Sequence, residues 1–295
     1  MAELISVIVA TYNREDALAQ VLRSLSYQSD RDFELLVADD GSGTTTARIV
    51  TEWAARMPVP FRHIWHPDRG FRLAEIRNRA IRASAGTYCV FLDGDCIARP
   101  DFVAAHRRLA EPGCFVTGNR ILLSRELTER ILRDGVEPER WGFANWITER
   151  AQRNVNRFAP LLDLPLGNLR KFHARRWRGA RGSNMAFWRA DLERVDGFDA
   201  SFDGWGREDS DIFIRLIRAG VRRKDGRFAT GVLHLWHPEA DRSRLEANDR
   251  RLDEVLHSTR IAARRGLSPP SPPSPYPPPL AGEGVLGGKT GEGGR

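Results

Sequence analysis

Four short polar segments carry the residue types that catalysis needs. Asp93-Gly94-Asp95 sets two carboxylates around one glycine, and such a pair presents oxygens to a hard cation bridging a diphosphate. Glycine lets the turn tighten and keeps side-chain bulk off the phosphates. The same tripeptide also makes an ordinary turn after a strand, so by itself it weighs the two readings equally. Asp39-Asp40-Gly41-Ser42 is similarly two-sided: a carboxylate there accepts a hydrogen bond from a nucleobase N–H, or caps a strand-to-helix turn.

Gly204-Trp-Gly-Arg-Glu-Asp-Ser-Asp211 is more informative. Two glycines around an aromatic imply a tight turn exposing the Trp205 ring, on which the apolar C–H face of a sugar stacks. Glu208 and Asp209 fall at a predicted helix start, where the macrodipole favours the ionised carboxylate. A carboxylate placed there can act as general base toward an acceptor hydroxyl. An acidic helix start after a glycine-rich loop is the plainer alternative, and the joint spacing makes it the weaker one. In His234-Leu-Trp-His237 a neutral imidazole can complete a metal shell that the aspartates begin. Zinc held by this pair alone is not expected.

The elements that must position these groups are legible. Leu4–Ala10 reads as a strand buried on both faces, and Phe33–Ala38, Phe61–Trp65 and Tyr88–Leu92 as further strands. Helices are expected after Arg14, with Ala17, Leu18, Val21, Leu22 and Leu25 on one stripe, and over Thr44–Ala55, Arg72–Ser84 and Pro100–Leu109. Strand and helix alternate with a period of about thirty residues, the pattern of βαβ units. The fold class is therefore α/β, a single domain with a mostly parallel central sheet flanked by helices on both faces. Its strand C-termini form the crevice where ligands bind. Residues 118–180 are irregular and aromatic-rich, and read as a variable insert on the acceptor side. Further on, Ser183–Trp188 reads as a strand, Glu208–Ala219 as a helix, Phe228–Trp236 as strand-containing, and Asp241–Arg265 as a charged helix. The domain is set at 1–265. Residues 266–295 read as a disordered tail, since Ser268–Arg295 holds eight of the chain's 17 prolines.

The chain has 295 residues, 41% of them hydrophobic, and a net charge of +7. Only three of its 46 basic residues are lysine (Lys171, Lys224, Lys289), which points to an arginine-rich coding bias. No DNA- or RNA-binding motif accompanies the charge, so a nucleic-acid partner is not expected. Cys89, Cys96 and Cys114 have neither zinc nor disulfide spacing and read as buried thiols. The apolar run at the start is too short to span a bilayer. A cytoplasmic protein is expected, with peripheral membrane contact through its basic surface.

Taken together, Val7-Ile-Val-Ala-Thr-Tyr-Asn-Arg14, Ala38-Asp-Asp-Gly-Ser42, Phe91-Leu-Asp-Gly-Asp95 and Gly204-Trp-Gly-Arg-Glu-Asp209 resemble family 2 glycosyltransferases of the GT-A fold. Val195-Asp-Gly-Phe-Asp199 through Glu208-Asp209 to His234 resembles the galactosyltransferase C-terminal region, also seen in bacterial chondroitin-type polymerases. The resemblance covers residues 4 to 240; Ala10 stands where the family usually has proline. It implies a nucleotide-sugar site at Thr11, Asn13, Asp40, Arg72, Arg77, Asp93, Gly94 and Asp95. Thr11 and Asp40 would hold uracil and ribose, and Arg72, with Arg77 as its rival, the base or diphosphate. It implies Asp209 as base, with Glu208 beside it binding the acceptor. Trp205 and Asn184 would also face the acceptor. A Mn2+ or Mg2+ ion would be held by Asp95, His234 and Asp93, with His237 as alternate. The implied reaction is inverting transfer of a sugar from a nucleotide diphosphate, UDP by resemblance, to a glycan or lipid-linked glycan, in polysaccharide biosynthesis. A sugar nucleotidyltransferase would normally carry a Gly- and Arg/Lys-rich phosphate loop near Thr11–Asp16, which is absent. A non-catalytic module of the same fold is the other alternative.

Overall fold

A computed structural model of the chain describes residues 2–268. In chain order the elements are β1 (Ile5–Thr11), α1 (Glu15–Ser26), β2 (Phe33–Asp39), α2 (Thr44–Ala54), β3 (Phe61–Trp65), α3 (Leu73–Ala83) and β4 (Tyr88–Asp93). There follow β5 (Cys96–Ile97), α4 (Phe102–Leu109), β6 (Cys114–Thr117), β7 (Arg120–Leu122), α5 (Arg125–Asp134) and α6 (Phe143–Ala151). The last are β8 (Asn184–Trp188), α7 (Arg189–Arg194), α8 (Glu208–Arg218), β9 (Arg222–Asp225), β10 (Val232–His234) and α9 (Leu245–His257).

The main sheet has the order β3-β2-β1-β4-β8-β6-β9. Its first four strands are mutually parallel, β8 runs antiparallel between β4 and β6, and β6 pairs in parallel with β9. Every residue of β1 and β2 is buried, as continuous apolar runs covered on both faces must be. Val7, Val9, Leu35 and Val37 pack on one face with Leu18, Val21, Leu22 and Phe102. Ile8, Leu36, Phe91 and Phe115 pack on the other with Ile76, Ile81, Ile212 and Phe213. The period-two alternation of β1 thus feeds two separate cores.

A smaller sheet, β5-β10-β7, lies beside this body. Its core of Ile97, Ile121, Leu127, Ile131, Trp146 and Leu233 draws on α5 and α6. The 118–180 stretch is thereby more than an appended insert: β7 pairs in parallel with β10, the strand that carries His234. The three cysteines are buried and free. No described helix is long and apolar enough to cross a membrane.

Two expectations at the C-terminal end are corrected. The helix expected over Asp241–Arg265 spans only Leu245–His257. Beyond it the buried Asp199 carboxylate competes for the backbone, accepting from Arg264 N at 3.0 Å and from the Arg260 guanidinium at 2.7 Å. Burial pushes that carboxyl up, but the Arg264 N–H, Arg260 and Ser201 override it and hold it at about 2. Residues 266–268, expected to belong to the tail, are held to the domain: Leu267 packs on the second core, its N–H reaches Asp196 O at 3.0 Å, and Arg82 donates to the Gly266 and Leu267 carbonyls. A side chain at Gly266 would collide with the Asp196 carbonyl. The remainder of the expected tail, 269–295, lies outside the described residues. Leu267→Ala should cost about 1–2 kcal/mol in urea unfolding, less than a fully buried leucine because Leu267 is only partly covered; an unchanged midpoint would show that this clasp is not needed.

Candidate active site

Parallel register brings the polar motifs together at one rim. Thr11 lies opposite Asp39, and Ala10 opposite Asp93. Gly94 packs against the end of β1, donating to Ala10 O at 2.7 Å; a Cβ there would meet that same oxygen and Thr11. Its glycine is thus demanded by the neighbouring strand, a tighter reason than phosphate clearance. Asn13, at φ +45°, ties two loops together: its N–H reaches Ser42 Oγ at 2.9 Å, and its Oδ1 accepts from Gly43 N at 3.0 Å.

Asp40 is buried between His66 Nε2, 2.6 Å from Oδ1, and Arg72 N, 2.7 Å from Oδ2. Burial nevertheless keeps its pKa above the ordinary carboxylate value. Arg72 contributes its backbone to this pocket, while its guanidinium is committed to Glu75 and the Pro67 carbonyl. This guanidinium is the group expected on the base or diphosphate. His66 escaped notice in the sequence because an isolated histidine after a strand has no spacing partner. Asp39 accepts from Ser42 N at 2.7 Å and contacts His63 at 3.0 Å, a turn-stabilising role.

One ligand atom from each of Asp95, His234 and His237 lies within 4.8 Å of the others. Asp95 Oδ2 is 3.3 Å from His237 Nε2 and 3.6 Å from His234 Nε2. Antiparallel pairing of β5 with β10 sets this up, placing His234 opposite Cys96, with Leu235 N bonded to Asp95 O. His237 Nδ1 sits 2.6 Å from the Pro238 carbonyl, which orients the ring with Nε2 toward Asp95. Burial, aided by Arg120, pushes His234 down to about 4, so its imidazole is neutral. Two imidazoles and one carboxylate suit a borderline divalent cation. His237 is thus a full member alongside His234. Asp93 is not part of this cluster, contrary to expectation, because its carboxylate faces Arg77.

Arg77 is fully buried. Its Nη2 donates to Asp93 Oδ1 at 3.0 Å and to the Gly182 carbonyl, and its Nη1 to Glu208 Oε1 at 3.3 Å. One guanidinium therefore joins the end of β4 to the start of α8. Expected as the rival of Arg72 for the base or diphosphate, it is placed here between Asp93 and Glu208. Asp209 is held by Gly182 N at 2.9 Å and Ser210 N at 2.6 Å. Gly204 and Gly206 take φ of +80° and +99°, a conformation open to glycine, and the turn leaves Trp205 37% exposed with the Arg242 guanidinium 5.0 Å from its ring centre. Asn248 pins this loop through three carbonyls. Asn184, expected to face the acceptor, is buried: its amide donates to Thr230 O and accepts from His106, and Gly118 is pressed against it.

The family profile described as "Glycosyl transferase family 2" matches residues 6–163, and one described as "N-terminal domain of galactosyltransferase" matches residues 168–238. The chain belongs to glycosyl transferase family 2. This glycosyltransferase is 31% identical over 242 residues to validoxylamine A glucosyltransferase of Streptomyces hygroscopicus subsp. limoneus, covering 78% of the chain and 51% of the relative. It is 28% identical over 232 residues to chondroitin synthase of Escherichia coli, covering 73% and 32%. It thus spans about half the length of the first relative and a third of the second. A mannosyltransferase from Pyrobaculum calidifontis, solved in complex with GDP-Man and Mn2+, shares the fold at TM-score 0.57 and 20% identity, covering 88% of this chain and 65% of that one. Staphylococcus aureus TarS 1–349, solved with UDP-GlcNAc, does so at 0.54 and 15%, covering 85% and 66%. The GT-A fold is thereby established.

Burial and the neighbouring Asp209 push the Glu208 carboxyl of this glycosyltransferase up to about 7 against the pull of Arg77. A carboxyl whose pKa is raised on folding stabilises the native state while protonated. That contribution is present below its ordinary value of 4.5 and is lost as pH rises through about 7. Stability measured by urea titration should fall across this window, and Glu208→Gln should flatten the fall; an identical slope in the variant would remove Glu208 as its source.

Proposed function

We propose that this glycosyltransferase moves a hexosyl or N-acetylhexosaminyl group from a UDP-sugar to a glycan hydroxyl, with inversion and with the help of a divalent cation. The observation that carries the proposal is the convergence of Asp95, His234 and His237 beside the Arg77 bridge to Glu208. A manganese or magnesium ion bound there supplies Lewis-acid stabilisation of the departing diphosphate. Support for such an ion is the N,N,O donor set and the Mn2+ of the Pyrobaculum mannosyltransferase complex. Uridine is favoured by the buried Asp40 on the rim and by neighbours solved with UDP and UDP-GlcNAc.

Asp209 is the proposed base. Its oxygens accept from the Gly182 and Ser210 backbone N–H groups, which orients the carboxylate at the start of α8. It takes the proton of the acceptor hydroxyl as that oxygen attacks the anomeric carbon from the face opposite the leaving group. One base and one displacement give inversion. Glu208, kept close by Arg77, orients the acceptor, and Trp205 offers it an apolar ring face. Synthesis of a surface polysaccharide in the cytoplasm is the role this chemistry fits.

Asp209→Asn should leave donor binding close to wild type while lowering turnover ~10²–10⁴-fold; turnover equal to wild type would take the base role away from Asp209. His237→Ala should weaken UDP binding in calorimetry with manganese but not without it, and equal losses in both would argue against a cation at this cluster. The decisive assay is manganese-dependent release of UDP from a panel of UDP-sugars with and without glycan acceptors.

A further inference from the structure

The chemistry leaves the stretch from Leu162 to Arg181 unused, yet that stretch is firmly held. Arg170 is buried, and its guanidinium donates to the carbonyls of Leu164, Asp225, Arg227 and Phe228. Arg223, reaching across from β9, donates to the carbonyls of Arg176 and Arg178, and Trp177 packs between two cores. With the backbone stapled this way, the exposure of its side chains is built into the fold. Leu169 is 71% exposed and Phe172 80%, more than any other large apolar side chain among the described residues. Leu162 and Leu164, on the same stretch, are also exposed.

Next along the chain stand four exposed arginines, Arg175, Arg176, Arg178 and Arg181, and no acidic residue occurs from Leu164 to Ala190. Among the described residues none of the four pairs with a carboxylate, whereas exposed arginines elsewhere, such as Arg125, Arg133 and Arg250, do. Leu169 and Phe172 stand three residues apart on one 3-10 turn, Phe172 N bonding Leu169 O at 3.1 Å, and soluble surfaces rarely keep neighbouring large apolar side chains this exposed without use. Unpaired cations beside them match a surface that is apolar within and anionic outside.

We infer that Leu162–Arg181 docks this protein onto an anionic lipid bilayer. Leu169 and Phe172 enter the boundary between headgroups and acyl chains while the arginines meet lipid phosphates. A soluble acidic polymer would account for the arginines and leave the leucines without a role. The stretch runs directly into Gly182, whose N–H holds Asp209. Docking therefore brings the acceptor side of the site toward the headgroup layer and favours a lipid-linked acceptor, a consequence that rests on the proposed function, whereas the docking itself does not.

The test is flotation of the full chain with phosphatidylcholine vesicles, with and without phosphatidylglycerol. Binding is expected only with phosphatidylglycerol and should weaken as salt is raised. The paired changes Leu169→Ser with Phe172→Ser, and Arg175→Ser with Arg176→Ser, should each weaken it about tenfold or more, while leaving UDP release with a soluble acceptor at the wild-type rate. Absence of vesicle binding, or binding unaffected by both pairs, overturns the inference. So does self-association abolished by the Leu169 and Phe172 changes without vesicle binding, or retention on heparin alone. Vesicle binding by a protein that releases no UDP would uphold the docking surface and count against the proposed reaction.

Discussion

A single buried guanidinium sets the geometry on which the rest depends. Arg77 reaches the end of β4 through Asp93, the start of α8 through Glu208, and the loop before β8 through the Gly182 carbonyl. A buried charge without partners costs several kcal/mol, so these three elements have one arrangement in which the cation is satisfied, and that arrangement places the site carboxylates around it. The same interaction moderates the carboxylates' own repulsion. Burial lifts both Asp93 and Glu208 above ordinary values, and Arg77 opposes each shift. The ring of Phe198 lies 5.4 Å from the guanidinium carbon and covers part of its face.

Asp95 has no comparable cation of its own. Its carboxylate is half-buried, with the His237 and His234 imidazoles 3.3 and 3.6 Å away and the Cys96 thiol at 3.5 Å. A carboxylate beside two imidazoles is a donor set that a divalent cation would satisfy. The smaller sheet is what imposes this. Pairing β10 with β5 ties the two histidines to the residue that follows Asp95, and β7 closes the other edge of β10. The metal reading thus rests on a backbone constraint as well as on residue types.

The parts of this legible in the sequence are those that local pattern encodes. Unbroken apolar runs marked β1, β2 and β4, and the stripe from Ala17 to Leu25 marked α1, because two-sided burial and helical periodicity leave a signature within a few residues. The polar strand ends were equally plain. What escaped was decided by distant partners. Arg77 and Arg72 look alike in sequence, and only the fold shows one bridging carboxylates and the other folded back on Glu75. Asn184 borders the site in sequence, yet packing of Gly118 and His106 buries it. The C-terminal helix stops early for the same reason: the competing acceptor, Asp199, lies about sixty residues upstream and nothing in the local pattern announces it.

The order of these constraints explains why the chemistry sits at a seam. Residues before about 163 supply the parallel strands, the Asp40 pocket and Asp95, whereas residues after about 168 supply Asp209, Trp205 and both histidines. Neither portion holds a complete site. They are joined by the antiparallel pairing of β4 with β8, by Arg77 to Glu208, and by β10 inserted between β5 and β7. A distortion of any one of these joints shifts Asp209 relative to Asp95, His234 and His237, and for the proposed reaction displacements of about an ångström would cost catalysis heavily. Buried polar side chains cross that seam: Arg77 reaches Glu208 and the Gly182 carbonyl, and His106 meets Asn184, whose amide also donates to Thr230 O. Apolar packing builds each portion, and hydrogen bonds with defined direction fix how the portions meet.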